Sequence, residues 1–148
     1  MNVKKASPDH ISVIADFQQK MAFETEGLKL NNSRLIKGVS QVFSDPAKGF
    51  YLIVEEEGEM IASVLLTPEW SDWRNSTFLW IQSLYVLPAF RKQGVFRMIY
   101  DFVKSMVATS DDYAGIKLYV DEHNTIAQEA YSKVGMDASH YRLFEWEK

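Results

Sequence analysis

The run Leu84-Tyr85-Val86-Leu87-Pro88-Ala89-Phe90-Arg91-Lys92-Gln93-Gly94-Val95-Phe96-Arg97 constrains the fold more than any other part of the chain. The aromatic and aliphatic residues leading into it read as a strand, Pro88 interrupts that strand, and the apolar spacing from Gly94 to about Val107 predicts a helix. A strand that passes through a short basic turn into a helix leaves the first N–H groups of that helix without intrahelical partners, at the positive end of its dipole. A phosphate group suits such a place. Gly94 allows a positive φ or a close backbone approach at the tightest point of the turn, and Arg91, Lys92 and Arg97 add formal charge. An ordinary solvated turn has the same composition, so this run needs a second signal beside it.

The second signal follows the strand-like run Ile116 to Val120, where the chain reads Asn124-Thr125-Ile126-Ala127-Gln128-Glu129-Ala130-Tyr131-Ser132-Lys133-Val134-Gly135-Met136. Together the two segments resemble the GCN5-related N-acetyltransferase (GNAT) superfamily, over roughly residues 50 to 136. In that family the first motif is Arg or Gln, two residues, Gly, one residue, then Gly or Ala. Arg91 and Gly94 match it, and Phe96 departs from it. The second motif is Asn, two residues, Ala, three residues, Tyr, three residues, then Gly and an apolar residue. Asn124, Ala127, Tyr131, Gly135 and Met136 match it throughout. The resemblance implies acetyl-CoA as cosubstrate and transfer of its acetyl group to an amine. It also implies a GNAT-type α/β fold: a mixed, mostly antiparallel central sheet flanked by about four helices.

Size and composition agree with one N-acetyltransferase domain over residues 1–148. A chain of 148 residues with 47% hydrophobic content suffices for one sizeable core. Its net charge of −4, with no basic stripe beyond Arg91 to Arg97, argues against a nucleic-acid partner. Zero cysteines exclude a disulfide framework, a Cys-ligated zinc and a thiol nucleophile. No apolar run reaches the roughly 18 residues of a membrane span, and the N-terminus lacks a signal-peptide core, so the expectation is a cytoplasmic protein without a membrane partner. His10, His123 and His140 are isolated in sequence, and no metal site is expected.

Along the chain, Ser7-Pro8 reads as a helix start, with an apolar stripe at Ile11, Ile14, Phe17 and Met21. Glu24 to Leu28 reads as a loop, and Asn32 or Ser33 as the cap of a second helix ending before Asp45-Pro46. Phe50 to Val54 and Met60 to Leu66 read as a hairpin, Thr77 to Val86 as the next strand, Ile116 to Val120 as another, Thr125 to Lys133 as a helix closed by Gly135, and Tyr141 to Trp146 as a last strand.

The resemblance assigns roles to particular residues. The pantetheine arm is expected along the backbone of Leu84, Tyr85 and Val86, where an N–H would polarise the thioester carbonyl. The diphosphate is expected over Lys92, Gln93, Gly94, Val95, Phe96 and Arg97, with Arg91 beside it. Tyr131, whose phenol has a pKa of roughly 10 when unperturbed, is the expected proton donor to the leaving thiolate. On an amphipathic helix it could also be a core residue. Asn124 either caps its helix or contacts the cofactor. Many relatives carry a carboxylate base on the central strand. Here Gln82 stands in Trp80-Ile81-Gln82-Ser83-Leu84, and an amide cannot accept the proton, which leaves a water chain, Glu24 or Glu26.

The string Glu69-Trp70-Ser71-Asp72-Trp73-Arg74 loosely resembles the polyamine and diamine branch, and Trp70, Asp72 and Trp73 could form a wall for a cationic acceptor. A tryptophan-anchored loop or a homodimer contact would use the same residues. The reading is therefore an acetyl-CoA-dependent N-acetyltransferase acting on a small-molecule amine. A protein or peptide acetyltransferase and a non-catalytic acyl-CoA-binding module are the alternatives.

Overall fold

The computed structural model describes all of Met1–Lys148, which form two compact units, Met1–Lys117 and Leu118–Lys148. The first unit holds a five-stranded sheet in the order β1 (Asn2–Lys5), β2 (Phe50–Glu56), β3 (Glu59–Ser71), β4 (Ser76–Val86), β5 (Tyr113–Lys117). Every neighbouring pair is antiparallel except β4 and β5, which are parallel. A parallel pair needs a crossover, and helix α3 (Val95–Ala108) supplies it. Helices α1 (Ile11–Glu26) and α2 (Asn32–Ser44) stand between β1 and β2 in the chain.

Strand β2 is buried from Tyr51 through Val54, so both of its faces are covered. Tyr51 and Ile53 pack with Ile14 and Ala15 of α1 and Val39 of α2. Leu52 and Val54 alternate onto the opposite face, the side of α3, whose buried stripe is Val95, Ile99, Tyr100 and Val103.

Several boundaries differ from the sequence expectation. A 3-10 turn at Pro8–His10 precedes α1, with Ser7 and His10 forming a capping box. Glu24 and Glu26 lie in the last turn of α1 rather than in a loop, because the helix runs on until Gly27 closes it in the left-handed conformation. Asn31, one residue ahead of the expected cap, accepts from the N–H of Arg34 to start α2. Strand β1 was not anticipated. It is a short, lysine-bearing edge strand with little apolar pattern, a form that discourages further pairing. Strand β3 continues past Leu66 to Ser71 and takes in Glu69 and Trp70. Strand β5 sits earlier than Ile116 to Val120.

In the second unit, α4 (Thr125–Lys133) is capped at both ends. The Asn124 side chain accepts from the N–H of Ala127 at 3.1 Å, and Gly135, at φ 88°, lets the N–H of Met136 reach the carbonyl of Tyr131 at 3.1 Å. The expected last strand is not formed. Tyr141 to Trp146 is irregular and exposed, with Phe144 at 92%, because strand propensity without a paired neighbour does not make a strand. No helix is long and apolar enough to cross a membrane.

Candidate active site

Strand β4 changes character partway along its length. From Ser76 to Gln82 it pairs regularly with β3, ending at Leu65 opposite Gln82, and the register then jumps to Ser63 opposite Tyr85. Ser83 and Leu84 thus face one residue of β3, which is a β-bulge, and Ser83 takes a φ of 48° that a non-glycine residue adopts only under constraint. The constraint comes from α1. Gln18, almost fully buried, donates from Nε2 to the Ser83 carbonyl at 3.4 Å, and the Phe17 ring lies 5.2 Å from the Tyr85 ring.

On the other edge, β4 and β5 pair only as far as Trp80 opposite Lys117. From Ile81 to Val86 that edge of β4 has no strand beside it within the sheet, so Leu84, Tyr85 and Val86 offer backbone groups to an extended polyamide.

Immediately beyond Val86 the backbone forms the turn into α3. Pro88–Phe90 is a 3-10 turn, Lys92 adopts φ 62°, and Gly94, at φ 81°, is the N-cap of α3. Gly94 carries no side chain to cap the helix, and the first intrahelical bond runs from the N–H of Met98 to the Gly94 carbonyl. The N–H groups of Val95, Phe96 and Arg97 precede that bond and head the helix dipole. Nothing lies within 4 Å of where a Gly94 Cβ would stand, so the space above the turn is open. Gln93 braces the turn by donating to the Ala89 carbonyl at 2.7 Å. Phe96, the departure from the family pattern, turns along α3 toward Tyr100, with ring centroids 6.1 Å apart, and leaves the helix start intact. Arg97 pairs loosely with Asp101 at 3.8 Å. A diphosphate fits this arrangement of amides, cations and open space.

Arg91 is held on the protein side of the turn. Its Nε donates to the Val86 carbonyl at 2.9 Å, its Nη2 donates to Glu24 Oε2 at 2.6 Å, and the guanidinium lies 5.5 Å from the Tyr85 ring centre. The other carboxylate oxygen, Glu24 Oε1, accepts from the Tyr85 hydroxyl at 2.7 Å. These bonds hold the Glu24 carboxyl below its ordinary range, Tyr85 first and Arg91 second. Burial, aided by the Glu24 carboxylate, pushes the Tyr85 phenol up to about 12. A carboxylate so engaged is a weak proton acceptor at neutral pH. Glu26, two residues on, lies on a different face of the helix and is exposed.

The remaining candidates divide. Gln82, next to the bulge, donates from Nε2 to Thr67 Oγ1 at 2.6 Å on β3. Trp70 and Asp72 end β3 and begin its tight connection to β4, and Trp73 lies at the tip. Trp70 is 63% and Trp73 91% exposed, and Asp72 accepts from the N–H of Trp73. At about 3.3 Å per residue, that tip lies on the order of 20 Å along β4 from Ser83, so the structure does not gather these three at the bulge. Between the two ends, Lys117 bridges to Glu69 at 2.5 Å and covers the Phe78 ring at 4.1 Å. No group of side chains is arranged to hold a metal ion. In the second unit, Asn124 is committed to capping, and burial raises the Tyr131 phenol above its ordinary value, so it is protonated at neutral pH. The sequence reading missed the bulge, the two α1 side chains that secure it and the Glu24 linkage.

The acetyltransferase (GNAT) family model matches residues 13–136. Among solved structures, a possible acetyltransferase from Clostridium difficile 630 is 35% identical, with a TM-score of 0.92 over 99% of this chain and 97% of its own. An aminoglycoside 6'-N-acetyltransferase, AAC(6')-Ig from Acinetobacter haemolyticus, shares the fold at 16% identity, with a TM-score of 0.77 over 100% of this chain and 99% of its own. AAC(6')-Iy, solved with a bisubstrate analogue joining CoA to acetylneamine, does so at 14% identity and a TM-score of 0.79 over 99% of this chain and 97% of its own. No curated protein sequence matches. The bulged strand with its open edge, the uncapped helix start and the family match agree: the chain belongs to the GNAT family of N-acetyltransferases, with acetyl-CoA as cosubstrate.

Proposed function

We propose that the chain acetylates the primary amine of a small molecule by direct attack of the amine on the thioester. The observation that carries this reading is the edge of β4 from Ile81 to Val86, which has no strand beside it in the sheet, set one turn ahead of the glycine-capped start of α3. The backbone of Leu84 to Val86 holds the pantetheine arm, and the amides of Val95 to Arg97, with Lys92 and Arg97, hold the diphosphate. When bound, acetyl-CoA supplies the activated acyl group. A β4 N–H at the bulge would polarise the thioester carbonyl oxygen, and the motif resemblance gives the Tyr131 hydroxyl the part of proton donor to the leaving thiolate. Support for Tyr131 comes from its place in the matched motif and its raised pKa. Gln82 supplies a polar contact on the acceptor side, and water removes the amine proton, since the Glu24 carboxylate is already doubly engaged.

The small-amine class is supported by the aminoglycoside acetyltransferases that share this fold along almost their whole length. Thiol release from acetyl-CoA with panels of amines and peptides tests the reading. Turnover with small amines supports it, and turnover with peptides alone shifts it to a protein acetyltransferase. Tyr131→Phe is expected to lower kcat by about 100-fold, with CoA affinity within about twofold of the parent. Gln82, standing where many relatives carry a carboxylate, favours a second reading as a non-catalytic acyl-CoA-binding module. CoA binding without thiol release to any acceptor would select it.

A further inference from the structure

Glu24 is the one carboxylate that joins the end of α1, the bulged end of β4 and the turn into α3. Each of its oxygens has its own donor, Tyr85 Oη at 2.7 Å and Arg91 Nη2 at 2.6 Å, across sequence separations of 61 and 67. Arg91 completes the link by donating from Nε to the carbonyl of Val86, the last residue of β4. Tyr85 is itself fixed, 4% exposed and packed on Phe17. Three elements with independent positions in the chain therefore meet on one carboxyl group, directly ahead of the α3 amides.

We propose that Glu24 is a positioning residue for the diphosphate loop: by holding Tyr85 and Arg91 together it sets the end of β4 and the start of the turn, and so aligns the N–H groups of Val95, Phe96 and Arg97 before ligand arrives. This rests on the reading that those amides grip the diphosphate of acetyl-CoA. The role differs from that of a general base or an acceptor-binding carboxylate, since each oxygen of Glu24 already accepts a hydrogen bond from within the protein. It also changes the part played by Arg91, which acts through the turn it braces and spends its fork on Val86 and Glu24.

The consequence is selective. A ligand with a diphosphate feels the alignment, and one that has only the pantetheine arm does not. Glu24→Gln keeps the shape of the side chain and removes the charge that holds Arg91. Calorimetry on this variant is expected to show CoA binding weakened on the order of tenfold, and the KM for acetyl-CoA should rise to match. The kcat at saturation, the acceptor KM and the kcat/KM for acetyl-pantetheine should stay within about twofold. Arg91→Lys, which keeps charge and loses the fork, should weaken CoA binding as much as Arg91→Ala. The double variant Glu24→Gln/Arg91→Ala should bind no more weakly than Arg91→Ala alone.

Additive losses in the double variant, or CoA affinity restored by Lys at position 91, would assign Arg91 to the phosphates directly and overturn the proposal. A fall in kcat with equal loss on acetyl-pantetheine would make Glu24 a base and overturn it as well. Melting of the ligand-free protein serves as a control: a lowered Tm with unchanged CoA affinity would reduce Glu24 to a structural contact. Failure of the parent protein to bind CoA would instead remove the functional reading beneath it.

Discussion

The two ends of β4 are both rich in aromatic and charged residues, and the fold treats them in opposite ways. At the Ser76 end, Trp70 and Trp73 project from a tight connection with most of their surface in solvent. At the Val86 end, Tyr85 is 4% exposed, its hydroxyl is bonded, and α1 grips the strand at Ser83 and Tyr85. Composition alone favours the first end, which has two indoles, two carboxylates and an arginine in one short string. The second end has the features on which the proposed function rests: a strand edge with no neighbouring strand in the sheet, a bulge that disturbs the ladder, and a helix start capped only by glycine. On the proposed function, a strand edge left without a partner strand and supported by packed side chains marks the site better than a concentration of reactive residue types.

Disabling the Val86 end at its most constrained point is the severest test of that contrast. Gly94→Val places a β-branched residue at φ 81°, where no neighbour lies within 4 Å, so its effect is confined to the backbone. The strain of about 1–3 kcal/mol should be relieved by a rearranged turn. CoA affinity should fall by about 10- to 100-fold by calorimetry, at roughly 1.4 kcal/mol per tenfold. Affinity equal to the parent's would break the comparison, because the turn would then not be where the diphosphate is held.

A smaller effect is expected from Gln18→Leu, which removes the donor to the Ser83 carbonyl in an almost buried position. The bulge should loosen, with a loss of about 0.5–1.5 kcal/mol in denaturant unfolding and a rise in the KM for acetyl-CoA. Unfolding that weakens while KM holds would separate the bulge from cofactor binding.

What could be read before the structure follows from the range over which each feature is determined. The turn into α3 was legible because Pro88, the basic residues and Gly94 act on their own backbone within a few positions. The caps of α4 were legible for the same reason. The Glu24 linkage was not, since it depends on partners 61 and 67 positions away and on Glu24 being helical at all. Thr25-Glu26-Gly27 has the composition of a loop, and only the structure shows Gly27 ending a helix that carries Glu24 toward β4. Strand β5 begins at Tyr113, ahead of the expected Ile116, and takes in Gly115. Here the missing Cβ makes room for the Phe78 ring, which a Cβ would approach to 2.9 Å. Tyr141 to Trp146 has the residues of a strand but no pairing neighbour to make it one.

The pH dependence of stability sharpens the contrast, since the Val86 end carries a titrating pair. Glu24 has a lowered pKa in the folded protein, so its contribution is fully present above the ordinary carboxylate value and is lost as pH falls through the lowered one. Tyr85, raised from 10.0 to about 12, contributes below 10.0 and loses that contribution as pH rises toward about 12. Tm profiles of the parent and of Glu24→Gln should therefore differ in slope at both extremes and run parallel between about pH 6 and 9. Parallel profiles throughout would mean that the bonds to Glu24 do not persist in solution.

The smallest effect belongs to the Ser76 end. Trp73→Ala removes a side chain that is 91% exposed, and exposed substitutions away from caps and packed contacts usually change stability by no more than about 0.5 kcal/mol. Trp70→Ala, at 63% exposure, should cost only slightly more. Neither should alter CoA affinity, because the hairpin tip lies on the order of 20 Å along β4 from the bulge. The informative measurement is the acceptor KM across the amine panel. An unchanged KM for every amine leaves the tip outside the reaction. A KM that rises for long polycations and holds for short monoamines would show that the tip reaches the far end of an extended acceptor, and the two ends of β4 would then belong to one binding surface of differing rigidity.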